Sequence, residues 1–102
     1  MSGTELRIYD IEPGRLDAFV AAWVTGVVPL RRRFGFDVQA WTVEGGDRFV
    51  WLLTHNGSGS FEAADAAYYA STERAQLDPD PAQWVVGQTN LVLEPVSVGD
   101  RE

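Results

Sequence analysis

The stretch PGRLDAFVAAWVTGVVPLRRRFGF, Pro13 to Phe36, decides how the chain folds. Leu16, Phe19, Val20, Trp23, Val27, Leu30 and Phe34 recur within it at spacings of three and four. Side chains at that spacing share one face of a helix, so the pattern predicts a long amphipathic helix packed on an apolar surface. Pro13-Gly14 opens it and Gly35 stops it. Pro29 falls inside the pattern. Having no N–H, it leaves the carbonyl of Thr25 unpartnered and crowds that turn, so a kink or a break into two shorter helices is expected. Arg31, Arg32 and Arg33 follow in the last turn, where cations complement the helix dipole. They read as a solvated helix end rather than an anion-docking patch.

Working outward, residues 4–11 alternate as a strand does, with Leu6 and Ile8 on one side and Arg7 and Tyr9 on the other. Residues 36–44 and 47–55 form a hairpin about Gly45-Gly46. A turn that tight fixes the register by counting: Phe36 opposes His55, Gln39 opposes Leu52, Ala40 opposes Trp51 and Trp41 opposes Val50. One hairpin face then carries Phe36, Val38, Ala40, Phe49, Trp51, Leu53 and His55, and should meet the helices. The other carries Gln39, Trp41, Val50 and Leu52, too apolar to remain wet. Ser60 caps a second, alanine-rich helix from Phe61 to about Ala70, and Ser71 restarts a short one that ends near Leu77. Asp78-Pro79-Asp80-Pro81 is a turn, and residues 88–96 form a last strand. The order β-α-β-β-α-β predicts an α+β, ferredoxin-like domain: a four-stranded antiparallel sheet with helices on one face. The whole chain, 1–102, reads as a single domain with its core in 4–96 and a polar tail at 97–102.

Composition narrows the function classes. A formal net charge of −7 opposes binding to nucleic acid or to an anionic membrane surface. The chain has no cysteine, which excludes disulfides and thiol chemistry. With one histidine and no cysteine, a structural zinc site is not expected. No metal and no cofactor is called for. The N-terminal residues lack a signal peptide's basic and apolar regions, and the apolar run from Phe19 to Leu30 is broken by Thr25, Gly26 and Pro29. A cytoplasmic protein is expected.

Glu5-Leu6-Arg7-x-Tyr9, Pro13-Gly14-Arg15-Leu16, Trp23, Val27-Val28-Pro29-Leu30, Gly35-Phe36, Arg74, Leu77-Asp78-Pro79 and Trp84 stand in an order and spacing that resembles the NIPSNAP family. The likeness covers residues 5–96. It implies a ferredoxin-like domain that pairs into a dimeric α/β barrel with strand order 4-1-3-2, and, in several members of that superfamily, a pocket between each sheet and its own helices. The superfamily includes cofactor-free monooxygenases, heme-degrading enzymes and stress-responsive proteins. His55 stands where many relatives carry an aromatic residue.

Three residues are candidates for chemistry. His55 is the one side chain whose ordinary pKa lies near neutrality. Arg7 and Tyr9 share a face of a central strand, where Arg binds a carboxylate or phosphate and Tyr donates a hydrogen bond or proton. The bland alternatives are a hydrogen-bonded strand-end histidine and a structural ion pair. Trp23, Trp51, Tyr68, Tyr69 and Trp84 would line an apolar pocket for a flat ligand, or else are simple core. His55 and Trp51, two residues apart on one strand, should meet in that pocket. Trp41, Gln39, Val50 and Leu52 are the expected homodimer interface. The expected function is binding of a small apolar or aromatic molecule, with cofactor-free oxygenase or isomerase chemistry as an extension. Its competitor is a non-catalytic stress or interaction protein whose aromatics are core and interface.

Overall fold

The computed structural model describes residues 3–99. Four strands, β1 (Gly3–Ile11), β2 (Phe36–Thr42), β3 (Arg48–His55) and β4 (Val85–Leu93), form one antiparallel sheet in the order β2-β3-β1-β4. The helices are α1 (Leu16–Ala22), α2 (Val28–Arg33), α3 (Phe61–Ala70) and α4 (Thr72–Ala75), with a short 3-10 turn at Pro81–Trp84. This is the expected ferredoxin-like α+β order, with its central strands β3 and β1.

The hairpin register is the one that counting predicts: Phe36 faces His55, Gln39 faces Leu52, Ala40 faces Trp51 and Trp41 faces Val50. Pairing of β1 with β3 then places Arg7 beside Trp51 and Tyr9 beside Phe49, on the helix-facing side. Phe36, Phe49, Trp51, Leu53 and His55 are all buried there. Because alternate residues point to opposite faces, Leu6, Ile8, Trp41, Val50 and Leu52 fall on the other side. That side stays partly open: Trp41 is 51% and Leu91 47% exposed.

The last strand differs from the sequence reading at both ends. The last strand begins at Val85, not residue 88, and ends at Leu93. The 3-10 turn delivers the chain straight to the sheet, where Val85 pairs with Ile11 and a bulge lies between Asp10 and Ile11. At the far end Pro95, lacking an N–H, cannot extend the ladder. The long helix breaks into two shorter ones, as expected. Between α1 and α2 the chain makes a wide π turn over Trp23–Val27, where the N–H of Val28 reaches back to the carbonyl of Trp23. The irregularity sits in the turn before Pro29, which becomes an early residue of α2. The expected stripe is nevertheless buried, with Phe19, Trp23, Val27 and Leu30 inside.

Gly35 closes the helix with φ +87°, a left-handed conformation that costs a residue with a side chain. A Cβ there would also lie 3.3 Å from the imidazole Nε2 of His55. Gly35→Ala should therefore lower stability by about 1–2 kcal/mol, read as a reduced urea midpoint with an unchanged slope. An unchanged midpoint would show that this helix stop is soft.

Candidate functional site

A cavity of about 480 Å³ lies between the helix-facing side of β1, β3 and β4 and the helices above them. Its walls are aromatic: Tyr9, Phe19, Trp23, Trp51, Tyr68 and Tyr69 all line it. Edge-to-face contacts fix several of these rings, with Trp23 and Trp51 centroids 5.3 Å apart and Tyr68 and Tyr69 5.1 Å apart.

Into this apolar shell the fold places three arginines, from β1 (Arg7), α2 (Arg31) and α4 (Arg74). Arg7 and Arg31 are 3% and 0% exposed. A buried guanidinium needs a partner, and Asp65 of α3 serves both: its Oδ1 accepts from Arg31 Nη1 at 2.8 Å and from Arg7 Nη2 at 3.2 Å. Arg7 also donates to the Tyr69 hydroxyl at 2.9 Å and pairs with Glu5. The Arg31 guanidinium carbon lies 3.7 Å from the centre of the Tyr68 ring, a close cation–π contact. Arg74 pairs with Asp80 at 3.2 Å, so α4 is tied to the loop before the 3-10 turn. Ser71 makes that geometry available: its hydroxyl donates to the carbonyl of Tyr68 and accepts from the N–H of Arg74, ending α3 and starting α4 in one residue.

The electrostatics follow from burial. Desolvation pushes Tyr9 and Tyr68 above the ordinary phenol value, only partly offset by the neighbouring arginines. Both are protonated phenols at neutral pH rather than bases. Burial acts to lower Arg7, but Tyr69, Tyr9, Glu5 and Asp65 outweigh it and the net shift is upward. Asp65, the one carboxylate on the cavity wall, is engaged by two cations.

Of the residues singled out from sequence, Arg7, Tyr9, Trp23, Trp51, Tyr68 and Tyr69 converge on this cavity. His55 and Trp84 do not. His55 is buried at the end of β3, its ring 5.0 Å from that of Phe36 and pressed close to Gly35 and Gly57. The expected meeting of His55 with Trp51 in a pocket is therefore not formed; Leu53 separates them along the strand, and the cavity extends the other way, towards Tyr9. Trp84 packs against the core from the 3-10 turn, outside the cavity lining.

Sequence reasoning missed Arg31, Asp65 and Arg74. Arg31 was expected at a solvated helix end with Arg32 and Arg33; those two are exposed, whereas Arg31 is fully enclosed. Arg31 lies four residues after Val27 and eight after Trp23, which on an unbroken helix brings it only to the edge of the stripe that Leu30 continues. The π turn winds the chain less per residue and so swings Arg31 round to the Trp23 face. Asp65 carried a detectable signal: it lies three and four residues before Tyr68 and Tyr69, on their side of the helix. Among the described residues, no group of three His, Cys, Asp or Glu side chains is disposed to hold a metal, and no helix is long and apolar enough to cross a membrane.

The two buried phenols predict an alkaline limit to stability. Below the ordinary tyrosine value of 10.0 both folded and unfolded chains hold the phenolic protons, and the contribution is fully present. Above it the unfolded chain ionises first, so stability falls as pH rises through the higher folded-state values. Denaturation midpoints measured from neutral to strongly alkaline pH should be level and then drop, and Tyr68→Phe should make the drop shallower.

The same architecture is found in solved structures. A NIPSNAP domain protein of uncharacterised function from Burkholderia xenovorans is 16% identical, with a TM-score of 0.81 over 99% of this chain and 100% of that one. A NIPSNAP family protein from Agrobacterium tumefaciens is 13% identical, with a TM-score of 0.82 over 96% and 91%. A candidate antibiotic biosynthesis monooxygenase from Nitrosomonas europaea is 12% identical, with a TM-score of 0.71 over 97% and 94%. At these identities the likeness establishes the fold alone. No curated protein matches the chain. The NIPSNAP family model, however, matches residues 4–99, nearly all of the sequence and every element that builds the cavity, and the chain therefore belongs to the NIPSNAP family.

Proposed function

We propose that this NIPSNAP protein binds a small apolar or aromatic metabolite in the cavity between its sheet and helices, acting as a homodimer. The observation that carries the reading is the cavity itself: about 480 Å³ of space walled by Trp23, Trp51, Tyr68 and Tyr69, within the size range of small-molecule sites. A domain of this size that served only as scaffold would gain by filling such a space. The resemblance in fold to proteins named as antibiotic biosynthesis monooxygenases supports cofactor-free oxygenase chemistry as an extension. In that case Tyr9 serves as a hydrogen-bond donor to a developing oxyanion and Arg7 stabilises it. The rival reading, a non-catalytic interaction protein, draws on the absence of His55 from the cavity and on the engagement of Asp65 by two arginines. Neither arrangement leaves an unengaged carboxylate or an imidazole on the cavity wall.

Two tests follow. Trp23 and Trp51 line the cavity, so a planar aromatic guest should quench tryptophan fluorescence saturably, and Trp51→Phe should remove most of the quench. Native mass spectrometry of protein purified from its own host should show a retained small molecule. An unchanged emission and a bare mass with every flat aromatic compound tried would favour the interaction protein.

The homodimer rests on the outer face of the sheet. Trp41, Leu91 and Leu93 are exposed there beside the half-buried Leu6, Ile8, Val50 and Leu52. Pairing that face with a second copy would remove several hundred Å² of apolar surface per subunit, worth on the order of 10 kcal/mol before association costs. Trp41→Glu should yield monomer or aggregate in sedimentation equilibrium. A monodisperse monomer of the unaltered chain at micromolar concentration would sink the pairing.

A further inference from the structure

Six buried side-chain nitrogen or oxygen atoms among the described residues have no protein hydrogen-bond partner, and five of them belong to residues of this one cavity. They are Nε1 of Trp23, Nε1 of Trp51, Nε of Arg31, Nε of Arg74 and the hydroxyl of Tyr68. The indole and guanidinium nitrogens can only donate, and the hydroxyl can donate. A guest that fills the cavity must bring acceptors, or it leaves the donors bare. A purely apolar molecule fits the walls and fails the donors.

The charges on the wall point the same way. Three arginines line the cavity against one carboxylate, Asp65, whose Oδ1 is already shared by two of them. The other partners, Glu5 for Arg7 and Asp80 for Arg74, do not line it. This cationic wall sits inside a chain of net charge −7. Distant surface charges are screened within about 10 Å of salt solution, whereas a guest inside meets the arginines directly. Arg31 is the best anchor: fully buried, held in place by Asp65 and by the Tyr68 ring, with its Nε unspent. A guanidinium so fixed is preorganised for a planar oxyanion.

We propose that the ligand is a planar organic anion, an aromatic or conjugated carboxylic acid or enolate, whose oxygens accept from Arg31, Arg74 and Tyr68 while its ring lies against Trp23 and Trp51. This rests on the reading that the cavity binds a small molecule, and adds the sign of that molecule's charge and the residues that recognise it.

The test compares 2-naphthoate with its neutral isostere 2-naphthamide by isothermal titration at neutral pH. The two share one ring system and differ in charge. The acid should bind at least about tenfold more tightly. Arg74→Gln, at a partly exposed site on α4, should cut that preference several-fold. Arg31→Lys keeps the charge but removes the fork, and should weaken the acid more than the amide. Circular dichroism establishes that each variant is folded; should Arg31→Lys not fold, the unaltered protein and Arg74→Gln still decide the matter. Equal affinities for acid and amide would overturn the anion inference and leave the binding cavity standing. An acid preference that survives in every folded variant would overturn the assignment of the anchoring residues. Binding of neither compound would overturn the anion inference and the binding cavity together.

Discussion

The carboxylate of Asp65 is the point on which this structure turns. Two guanidinium groups are enclosed in a small aromatic core, one from the sheet and one from a helix, and both reach the same oxygen. An unpaired buried charge costs several kcal/mol, enough to consume much of the stability of a domain this size. The network therefore dictates where α3 sits, because only that helix carries the shared acceptor. It also keeps α2 and β1 at a fixed distance, with the cavity between them. Ion pairing here does the job that close apolar packing does elsewhere in the sheet–helix interface, where Phe19, Phe49 and Trp23 interlock edge to face.

Buried ion pairs seldom add stability over well-packed apolar side chains of the same volume. A core that keeps Arg7, Arg31 and Asp65, and leaves donors on Trp23, Trp51 and Tyr68 without protein acceptors, is not arranged for maximum stability. Polar groups that stability alone does not favour are the usual mark of a recognition site. The same reasoning separates His55 from the site. It is buried and has an unpartnered Nδ1, yet it packs on Phe36, lies against two glycines and is absent from the cavity lining.

Much of this was legible in the sequence. Counting outward from Gly45-Gly46 assigns each hairpin residue its partner and its face, because strand periodicity is two and leaves no intermediate answer. The pairing of Arg7 and Tyr9 with the same side as Trp51 then follows once β1 lies beside β3. What escaped is phase. A helix read at 3.6 residues per turn places Arg31 beside the apolar stripe, with Arg32 and Arg33 in solvent. The wide turn at Trp23–Val27 changes that phase, and no composition rule marks where a helix will widen. The start of β4 escaped for a related reason: a bulge lets Val85 and Val86 join the sheet out of step with the alternation that follows. Trp84 was an attractive pocket residue by type alone, and its place in the 3-10 turn sends it elsewhere.

The central claim is that Arg31 and Asp65 act as one unit in holding the cavity. The most direct measurement is a double-mutant cycle on the two, using Arg31→Met and Asp65→Leu, with unfolding free energies from urea titration. Asp65→Leu leaves the buried Arg31 without its acceptor and Arg31→Met leaves Asp65 to Arg7 alone, whereas the double change removes the Arg31–Asp65 pair while Arg7 keeps Glu5. The account predicts a coupling of about 1–3 kcal/mol, with the double variant more stable than the sum of the single losses allows. Single losses that add to within about 0.5 kcal/mol would contradict it, and would mean that the two residues meet without depending on one another.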